Sequence, residues 1–337
     1  MPPPEPGADM RRRDFLGVLG GGAAWPLAAH AQQGERVRRI GAILPASADD
    51  ADFQMFFGAF LQALAQLGWS NEGNVRTDVR WATGSPSIIR KHAAELAALA
   101  PDVILAHGGS TVSPMQQATR TIPIAFAVAS DPVATGYADS LARPGGNITG
   151  FMTAEYSIAG KWLELLKQVA PRVTRVAILR DPGVPAGLGQ FSAIQTAAVS
   201  TGIEISALNV RDATEIERAM AAFARTPNSG LIVVASSMAQ QQRGPIVSLV
   251  AQLKLPAVYF NRTFVSAGGL MSYGVDFVDQ YRRAAGYVDR ILKGEKPGDL
   301  PIQTPLKYQT VVNMKAAKAL GITMPQTVLV SADEVLE

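Results

Sequence analysis

Residues 37–68 read VRRIGAILPASADDADFQMFFGAFLQALAQLG. The apolar run from Val37 to Leu44 predicts a buried β-strand. Phenylalanine and leucine side chains then recur at helical spacing from Phe53 to Leu67, and Gly68 ends the pattern, as glycine ends many helices. A short apolar strand followed by an amphipathic helix is the repeating unit of parallel α/β sheets.

The same alternation continues along the chain. Further strands are predicted at 75–82, 103–106 and 124–128, and further helices at 86–99 and 114–120. A Pro/Gly-rich passage at 143–150 interrupts the alternation at a length typical of one finished domain. The pattern then restarts, with strands predicted at 175–179, 203–208, 231–234 and 257–260 and helices at 158–169, 188–201, 213–224 and 245–253. Two such arrays predict an α/β protein with two Rossmann-like lobes, each on a parallel sheet.

Three Pro/Gly-rich passages, 143–150, 268–274 and 294–305, are interpreted as crossings between the lobes. An amphipathic helix is predicted at 277–293, and a last strand at 309–313 and helix at 314–320 complete the predicted fold. This pattern assigns residues 37–150 plus about 275–296 to lobe 1 and residues 151–272 to lobe 2. The lobe that holds the C-terminal strand and helix of residues 300–337 stays open.

The first 31 residues have the layout of an export signal. Three arginines at 11–13 precede an apolar run at 15–29, and small residues at Ala29 and Ala31 fit a peptidase that cleaves before Gln32. The run is too short for a stable membrane anchor, although a short anchor or a basic tail is the alternative interpretation. We therefore predict a periplasmic protein.

The sequence RRDFL at 12–16 is similar to the twin-arginine signal, although Arg11 stands where that signal has Ser or Thr. The export route therefore stays open. The start of translation, Met1 or Met10, also stays open.

Composition excludes several classes of function. Lys and Arg together number 31 and Asp and Glu 28, with no extended basic stretch, so no nucleic-acid footprint is expected. The chain has no cysteine, which excludes disulfides, Cys-ligated metals and thiol catalysis. We predict no cofactor and no metal site.

Enzyme motifs are also missing from the sequence. Of three histidines, His30 leaves with the predicted signal, so only His92 and His107 could serve a triad or a metal. His107-Gly108-Gly109 is similar to the oxyanion loop of esterases, but no G-x-S-x-G nucleophile motif accompanies it. We predict no catalytic residue and no enzyme.

The candidate ligand site is built from the loops that follow the predicted strands. Ligands of open parallel sheets bind beyond the carboxyl ends of the strands, where helix amides point outward. The predicted ligand-binding residues are Ser47, Gly109, Ser110, Thr111, Ser130, Asp131, Tyr156, Arg180, Ser236, Ser237 and Tyr273. The alternatives are that Ser110, Thr111, Ser236 and Ser237 are helix N-caps, that Asp131 forms a turn, that Arg180 pairs with Asp181 or with surface carboxylates, and that Tyr273 packs in a hinge.

Several ordered motifs resemble one known family. They include SLARPGGNITG at 140–150, AGGLMSYG at 267–274, and NMKAAKALG at 313–321. The chain resembles the substrate-binding proteins of ABC transporters whose better-known members bind tryptophan and other aromatic amino acids. The resemblance implies the type I periplasmic-binding-protein architecture, with three interlobe crossings and the ligand enclosed between the lobes.

One loop departs from that family. Arg180-Asp181-Pro182 stands where the family commonly has Tyr-Asn-Pro. An arginine facing the cleft would favour a carboxylate-bearing ligand through a charge-assisted pair.

The mechanism implied by the resemblance is capture by hinge closure, followed by docking on an ABC permease in the inner membrane. The ligand would be an amino acid or an aromatic or carboxylate compound, and the protein would be a monomer. A sensory protein that presents its ligand to a membrane receptor, and an exported hydrolase, are the alternatives.

Overall fold

The computed structural model describes residues 36–71, 73–83, 85–153 and 155–337. The predicted export signal at 1–31 lies outside the described residues. In the described part of the chain, no helix combines the length and the apolar character that a membrane crossing requires.

The first sheet has five parallel strands in the order β2-β1-β3-β4-β5. Its strands are Arg38–Leu44 (β1), Val75–Trp81 (β2), Val103–His107 (β3), Ile124–Ala129 (β4) and Ile148–Met152 (β5). The helices between them are Ala51–Gln66 (α1), Pro86–Ala98 (α2) and Gly108–Ala118 (α3). The side chains of β3, β4 and β5 are buried throughout, because helices cover both faces of a parallel sheet.

The second sheet has seven strands in the order β12-β11-β10-β9-β8-β6-β7. Its strands are Arg175–Arg180 (β6), Glu204–Asn209 (β7), Ser229–Val233 (β8), Ala257–Tyr259 (β9), Met271–Gly274 (β10), Gln309–Asn313 (β11) and Glu334–Leu336 (β12). The helices are Ala159–Val169 (α4), Pro185–Ala198 (α5), Ala213–Phe223 (α6), Ser237–Gln241 (α7), Arg243–Gln252 (α8), Arg262–Ser266 (α9), Phe277–Leu292 (α10), Met314–Ala319 (α11) and Gln326–Ser331 (α12). The predicted α/β fold with two sheets is confirmed. We call the five-stranded sheet with α1 to α3 and α10 the first lobe, and the seven-stranded sheet with the other helices the second lobe.

Two passages predicted as crossings contain strands. Residues 148–152 form the edge strand β5 of the first sheet, and residues 271–274 form β10 of the second. In both strands a glycine permits a close approach, because a Cβ atom on Gly150 would overlap the carbonyl oxygen of Phe126 and one on Gly274 would overlap that of Phe260. Gly150 and Gly274, which contributed to the loop interpretation, are therefore required for strand packing.

Three further predictions are wrong in detail. The helix predicted at 114–120 begins at Gly108 and includes Pro114 in its interior. The second sheet is not wholly parallel, because β10 and β11 pair antiparallel. The chain also continues past residue 320 into α12 and β12, and β12 extends the second sheet beside β11. These last elements are too short for periodicity to reveal them.

Helix α10 comes late in the chain but packs on the first lobe. It lies against α1 and against the strands β3, β4 and β5. Phe277 and Tyr281 both pack on Phe56 of α1. Their ring centroids lie 5.6 and 5.8 Å, respectively, from that of Phe56. Trp69 donates to the carboxylate of Asp289 at 2.8 Å and fixes the other end of the helix.

Gln280 of α10 also supports an irregular turn of β4. The pairing of β4 with β5 shifts register between Phe126 and Ala129, and Val128 has a φ of 63°. A β-branched residue strongly disfavours this left-handed conformation. The side chain of Gln280 accepts a hydrogen bond from the Val128 amide at 3.0 Å and donates to the Met152 carbonyl at 2.7 Å. The helix thus satisfies the amide that the bulge removes from the sheet.

Candidate functional site

The carboxyl ends of the strands of both lobes face each other across an inner cavity of about 40 Å³. The first lobe contributes the residues after β3 and β4, and the second lobe contributes residues after β8 and at the start of α5. Phe260 and Phe277, beside the crossings, complete the wall. A space of this size holds only a few water molecules. A larger solute therefore needs the lobes to move apart before it can bind.

An outer groove of about 620 Å³ lies between the lobes next to this cavity. The two spaces share Gly109 and Ser110 of the first lobe and Val184 and Ser237 of the second. The groove falls in the usual volume range of small-molecule sites. The inner cavity and the groove together form one cleft.

The side chains that line the inner cavity are uncharged. Among the residues that the structure describes, no Asp, Glu, Lys or Arg side chain reaches this wall. Its polar members are hydroxyl, amide and imidazole groups, and its apolar members include Val128, Val184, Phe260 and Phe277. Such a wall suits a ligand with an apolar or aromatic body and a few hydrogen-bonding groups.

His107, at the end of β3, is the most deeply buried titratable group of the wall. Its side chain is packed against Phe53, with ring centroids 4.8 Å apart, and only 4% of the residue is exposed. Its Nδ1 lies 2.8 Å from the hydroxyl of Tyr281. Burial lowers the pKa of His107 to about 3, so the imidazole is neutral at physiological pH.

Hydrogen bonds and ion pairs join the two lobes over the cleft. The hydroxyls of Ser110 and Ser237 are 2.7 Å apart. Arg243 of the second lobe lies 3.1 Å from Asp50 and 2.8 Å from Asp52 of the first lobe. Burial raises the pKa of Asp52, an effect that the Arg243 charge opposes. These contacts depend on the closed arrangement of the lobes.

The structure brings about half of the predicted site residues to the cleft. Gly109, Ser110, Ser130, Ser236 and Ser237 line the inner cavity. Within this set, Ser236 is also the N-cap of α7, since its hydroxyl accepts from the Ala239 amide. One serine can therefore both cap a helix and line the inner cavity.

Tyr273 lines a second, smaller cavity of about 20 Å³ that shares Phe260 and Phe277 with the inner one. Its ring stacks on Tyr308 at a centroid distance of 5.5 Å. Burial raises its pKa. These contacts agree with the alternative interpretation, in which Tyr273 packs in a hinge.

Five predicted residues lie away from the walls of both cavities and of the groove: Ser47, Thr111, Asp131, Tyr156 and Arg180. The Thr111 hydroxyl donates to the His107 carbonyl at 2.8 Å, and Asp131 accepts from the Ala134 amide at 3.0 Å. Hydrogen bonding from Ser47 lowers the pKa of Asp49. These three polar side chains stabilise local backbone or turns.

Tyr156 and Arg180 pack on α5. A Cβ atom on Gly189 would overlap the Tyr156 ring, and burial raises the pKa of Tyr156 to about 12. The guanidinium of Arg180 lies 5.5 Å from the ring centroid of Phe191. The predicted ligand roles of both residues remain predictions without support from this geometry.

The sequence prediction omitted several wall residues, among them His107, Tyr137, Gln240, Phe260 and Phe277. His107 directly follows a predicted strand, which is the signal that selected its neighbours Gly109 and Ser110. Phe277 opens a helix directly after a predicted crossing. Gln240 and Tyr137 carry no comparable signal, because tertiary packing alone brings them to the cleft.

Comparison with known proteins gives one consistent result. A family model described as ABC transporter substrate binding protein matches residues 43–336. The tyrosine-binding protein of Clostridioides difficile (strain R20291) is 27% identical over 270 residues, which are 78% of this chain and 75% of that protein.

Two solved structures are similar in fold. A conserved domain protein from Vibrio cholerae is 25% identical with a TM-score of 0.83, over 89% of this chain and 100% of that chain. An ABC domain in complex with L-Trp from Streptococcus pneumonia is 24% identical with a TM-score of 0.81, over 89% of this chain and 99% of that one.

Proposed function

Since the chain belongs to the ABC transporter substrate-binding protein family, whose members bind solutes and catalyse no reaction, we propose that it captures an aromatic carboxylate or aromatic amino acid. The observation that carries this proposal is the inner cavity, whose wall comes from strand ends of both lobes and combines aromatic rings with uncharged hydrogen-bonding groups. The ligands of two similar proteins, tyrosine and L-Trp, support the aromatic class.

Capture proceeds by hinge closure. The solute binds first to one lobe of the separated pair, and closure then adds the wall of the other lobe. A ligand drives this step only through contacts that it makes in the closed form alone. The pairs Ser110–Ser237 and Arg243–Asp52 add protein contacts to that form.

The family acts outside the cytoplasm. We further propose that residues 1–31 are an export signal cleaved before Gln32, that the protein works in the periplasm as a monomer, and that its partner is an ABC permease. Mass spectrometry of the protein recovered from the periplasm tests the cleavage, since the mature chain would begin at Gln32.

A thermal-shift screen tests the proposed ligand class. The panel contains aromatic amino acids, aromatic carboxylates, sugars and nucleosides. A ligand at about a hundred times its Kd adds about 2.7 kcal/mol to the free energy of unfolding. We expect such a stabilisation only from aromatic amino acids or aromatic carboxylates; a shift from sugars or nucleosides alone would contradict the proposal.

Replacement of Arg243 tests the closure contacts. Arg243→Ala leaves two partly buried carboxylates, Asp50 and Asp52, without their countercharge in the closed form, so we expect about tenfold weaker ligand binding, equivalent to about 1.4 kcal/mol. Asp52→Asn should weaken binding less, because burial already disfavours its charge. Isothermal titration calorimetry measures both affinities.

Arg262→Ala is the matched control, because Arg262 pairs with Glu334 inside the second lobe. It removes the same charge without touching the cleft, so ligand affinity should not change. If Arg243→Ala and Arg262→Ala lost the same ligand affinity, net charge and not closure would control binding.

A further inference from the structure

We propose that the inner cavity selects an aromatic carboxylate that has no amino group, and that His107 is the hydrogen-bond donor that recognises the carboxylate. This inference rests on the proposed function and narrows its ligand class. It sets this chain apart from similar proteins that bind tyrosine or L-Trp.

The first observation is that no acidic side chain lines the inner cavity. Within the described residues, the inner wall carries no carboxylate that could pair with an ammonium group. Asp131 accepts from the Ala134 amide, Asp181 from the Gly183 amide, and Asp52 pairs with Arg243. An enclosed ammonium group needs acidic partners, which this wall lacks, whereas an enclosed carboxylate needs the N–H and O–H donors described below. An α-amino acid would bring an ammonium group into this cavity.

The second observation fixes which ring nitrogen of His107 carries the proton. The Tyr281 side chain is fully buried, and its hydroxyl has one hydrogen that needs an acceptor. In the described chain, His107 Nδ1 is the group that lies within hydrogen-bond distance of this hydroxyl, at 2.8 Å. Tyr281 therefore donates to Nδ1, and in the neutral ring the proton resides on Nε2.

The third observation is that Nε2 of His107 forms no hydrogen bond within the described part of the protein. His107 lines the inner cavity and is 4% exposed. Because burial lowers the pKa of the imidazole to about 3, the ring offers an N–H donor without a positive charge. Such a group matches an oxygen acceptor on the ligand.

Further donors lie beside His107. Helix α3 begins at the next residue, Gly108, and no side chain caps its first turn. The free amides of a helix start attract anions, and Gly109 and Ser110 of this turn line the cavity. The imidazole, the helix amides and the Ser110 hydroxyl can thus hold a carboxylate together, while Phe260 and Phe277 contact the aromatic body.

Two matched ligand series test the inference with the purified protein by isothermal titration calorimetry. One series is 3-(4-hydroxyphenyl)propionate, L-tyrosine and tyramine, and the other is indole-3-propionate, L-tryptophan and tryptamine. Each series keeps the ring and varies the charged groups. We expect the deamino acid to bind at least about tenfold more tightly than the amino acid, and the amine not to bind.

Each other outcome has a separate meaning. If L-tyrosine or L-tryptophan binds as tightly as its deamino acid, the inference is wrong while the proposed function stands. If no compound of either series binds, the aromatic class of the proposed function fails as well.

Variants of the donor test its role. His107→Phe removes the N–H, and we expect at least about tenfold weaker binding of the deamino acid. His107→Gln places an amide N–H near the position of Nε2 and should recover much of that loss. If His107 had only a structural role, both variants should lose the same affinity for the deamino acid. That result would overturn the assignment. Circular dichroism and thermal melting identify any variant that fails to fold.

Tyr281→Phe tests the positioning of the proton. Tyr281 does not line the cavity, so its loss acts on the ligand through His107 alone. Nitrogen-15 NMR of the parent protein should show His107 protonated at Nε2, and the variant should gain the Nδ1-protonated form with weaker binding of the deamino acid. A parent protein protonated at Nδ1 would overturn the assignment.

Discussion

The double variant Ser110→Cys, Ser237→Cys is expected to lose ligand exchange completely when oxidised and to regain it when reduced. The two hydroxyl oxygens are 2.7 Å apart across the cleft, so two sulfur atoms at these positions need only a small adjustment to reach the S–S bond length of about 2.04 Å. The natural chain has no cysteine, so no other disulfide can form within it. The bond would prevent the lobes from separating, so that a solute could neither enter nor leave the inner cavity.

The order of addition makes this test decisive. Oxidation before the ligand is added should prevent binding, whereas oxidation after binding should trap the ligand through extensive dialysis. Equilibrium dialysis with a radiolabelled hit from the thermal-shift screen measures both states. Each single cysteine variant is the control and should exchange ligand in both redox states. Free exchange by the oxidised double variant would contradict capture by closure.

Gly274→Ala is expected to lower the free energy of unfolding by about 3 kcal/mol or more. The added Cβ would overlap the carbonyl oxygen of Phe260, which is backbone and cannot move without disturbing β9 and β10. Strand β10 joins the rest of the second sheet to β11 and β12, so its displacement affects both neighbours. Chemical denaturation monitored by circular dichroism measures the change.

Gly286→Ala is the matched control for this substitution. Gly286 lies inside α10, and a Cβ atom there meets nothing within 4 Å. Alanine has a higher helix propensity than glycine. The free energy of unfolding of this variant should therefore rise by up to about 1 kcal/mol. A similar loss of stability in both variants would show that the approach of Gly274 to Phe260 is not the cause.

The sequence predicted the strands that are apolar and buried throughout, such as β3 and β4, because such runs stand out between amphipathic helices. It missed β5 and β10 because glycine is depleted in strands and these two strands need it where neighbouring backbone comes close. Strand β12 has three residues, which is too few for any period to appear.

For the site, the rule that ligands bind beyond strand ends selected Ser110 and Ser237, and the structure places their hydroxyls 2.7 Å apart across the cleft. The same rule could not separate wall residues from caps, so Thr111 was included although its hydroxyl serves the helix backbone. The contact of His107 with Tyr281 joins residues 174 positions apart. The direction in which Arg180 extends also depends on Phe191, which belongs to another element.

The position of α10 on the first lobe has a consequence for the order of biosynthesis. A ribosome that has completed β5 at Met152 has made every strand of the first sheet, but the helix that covers Phe56 and supplies Gln280 to Val128 begins only at residue 277. The first lobe therefore cannot complete its core until strands β6 to β10 of the second sheet have also been made. The nascent chain stays incompletely folded until most of it has emerged, which lengthens the time during which its apolar surface needs protection by chaperones.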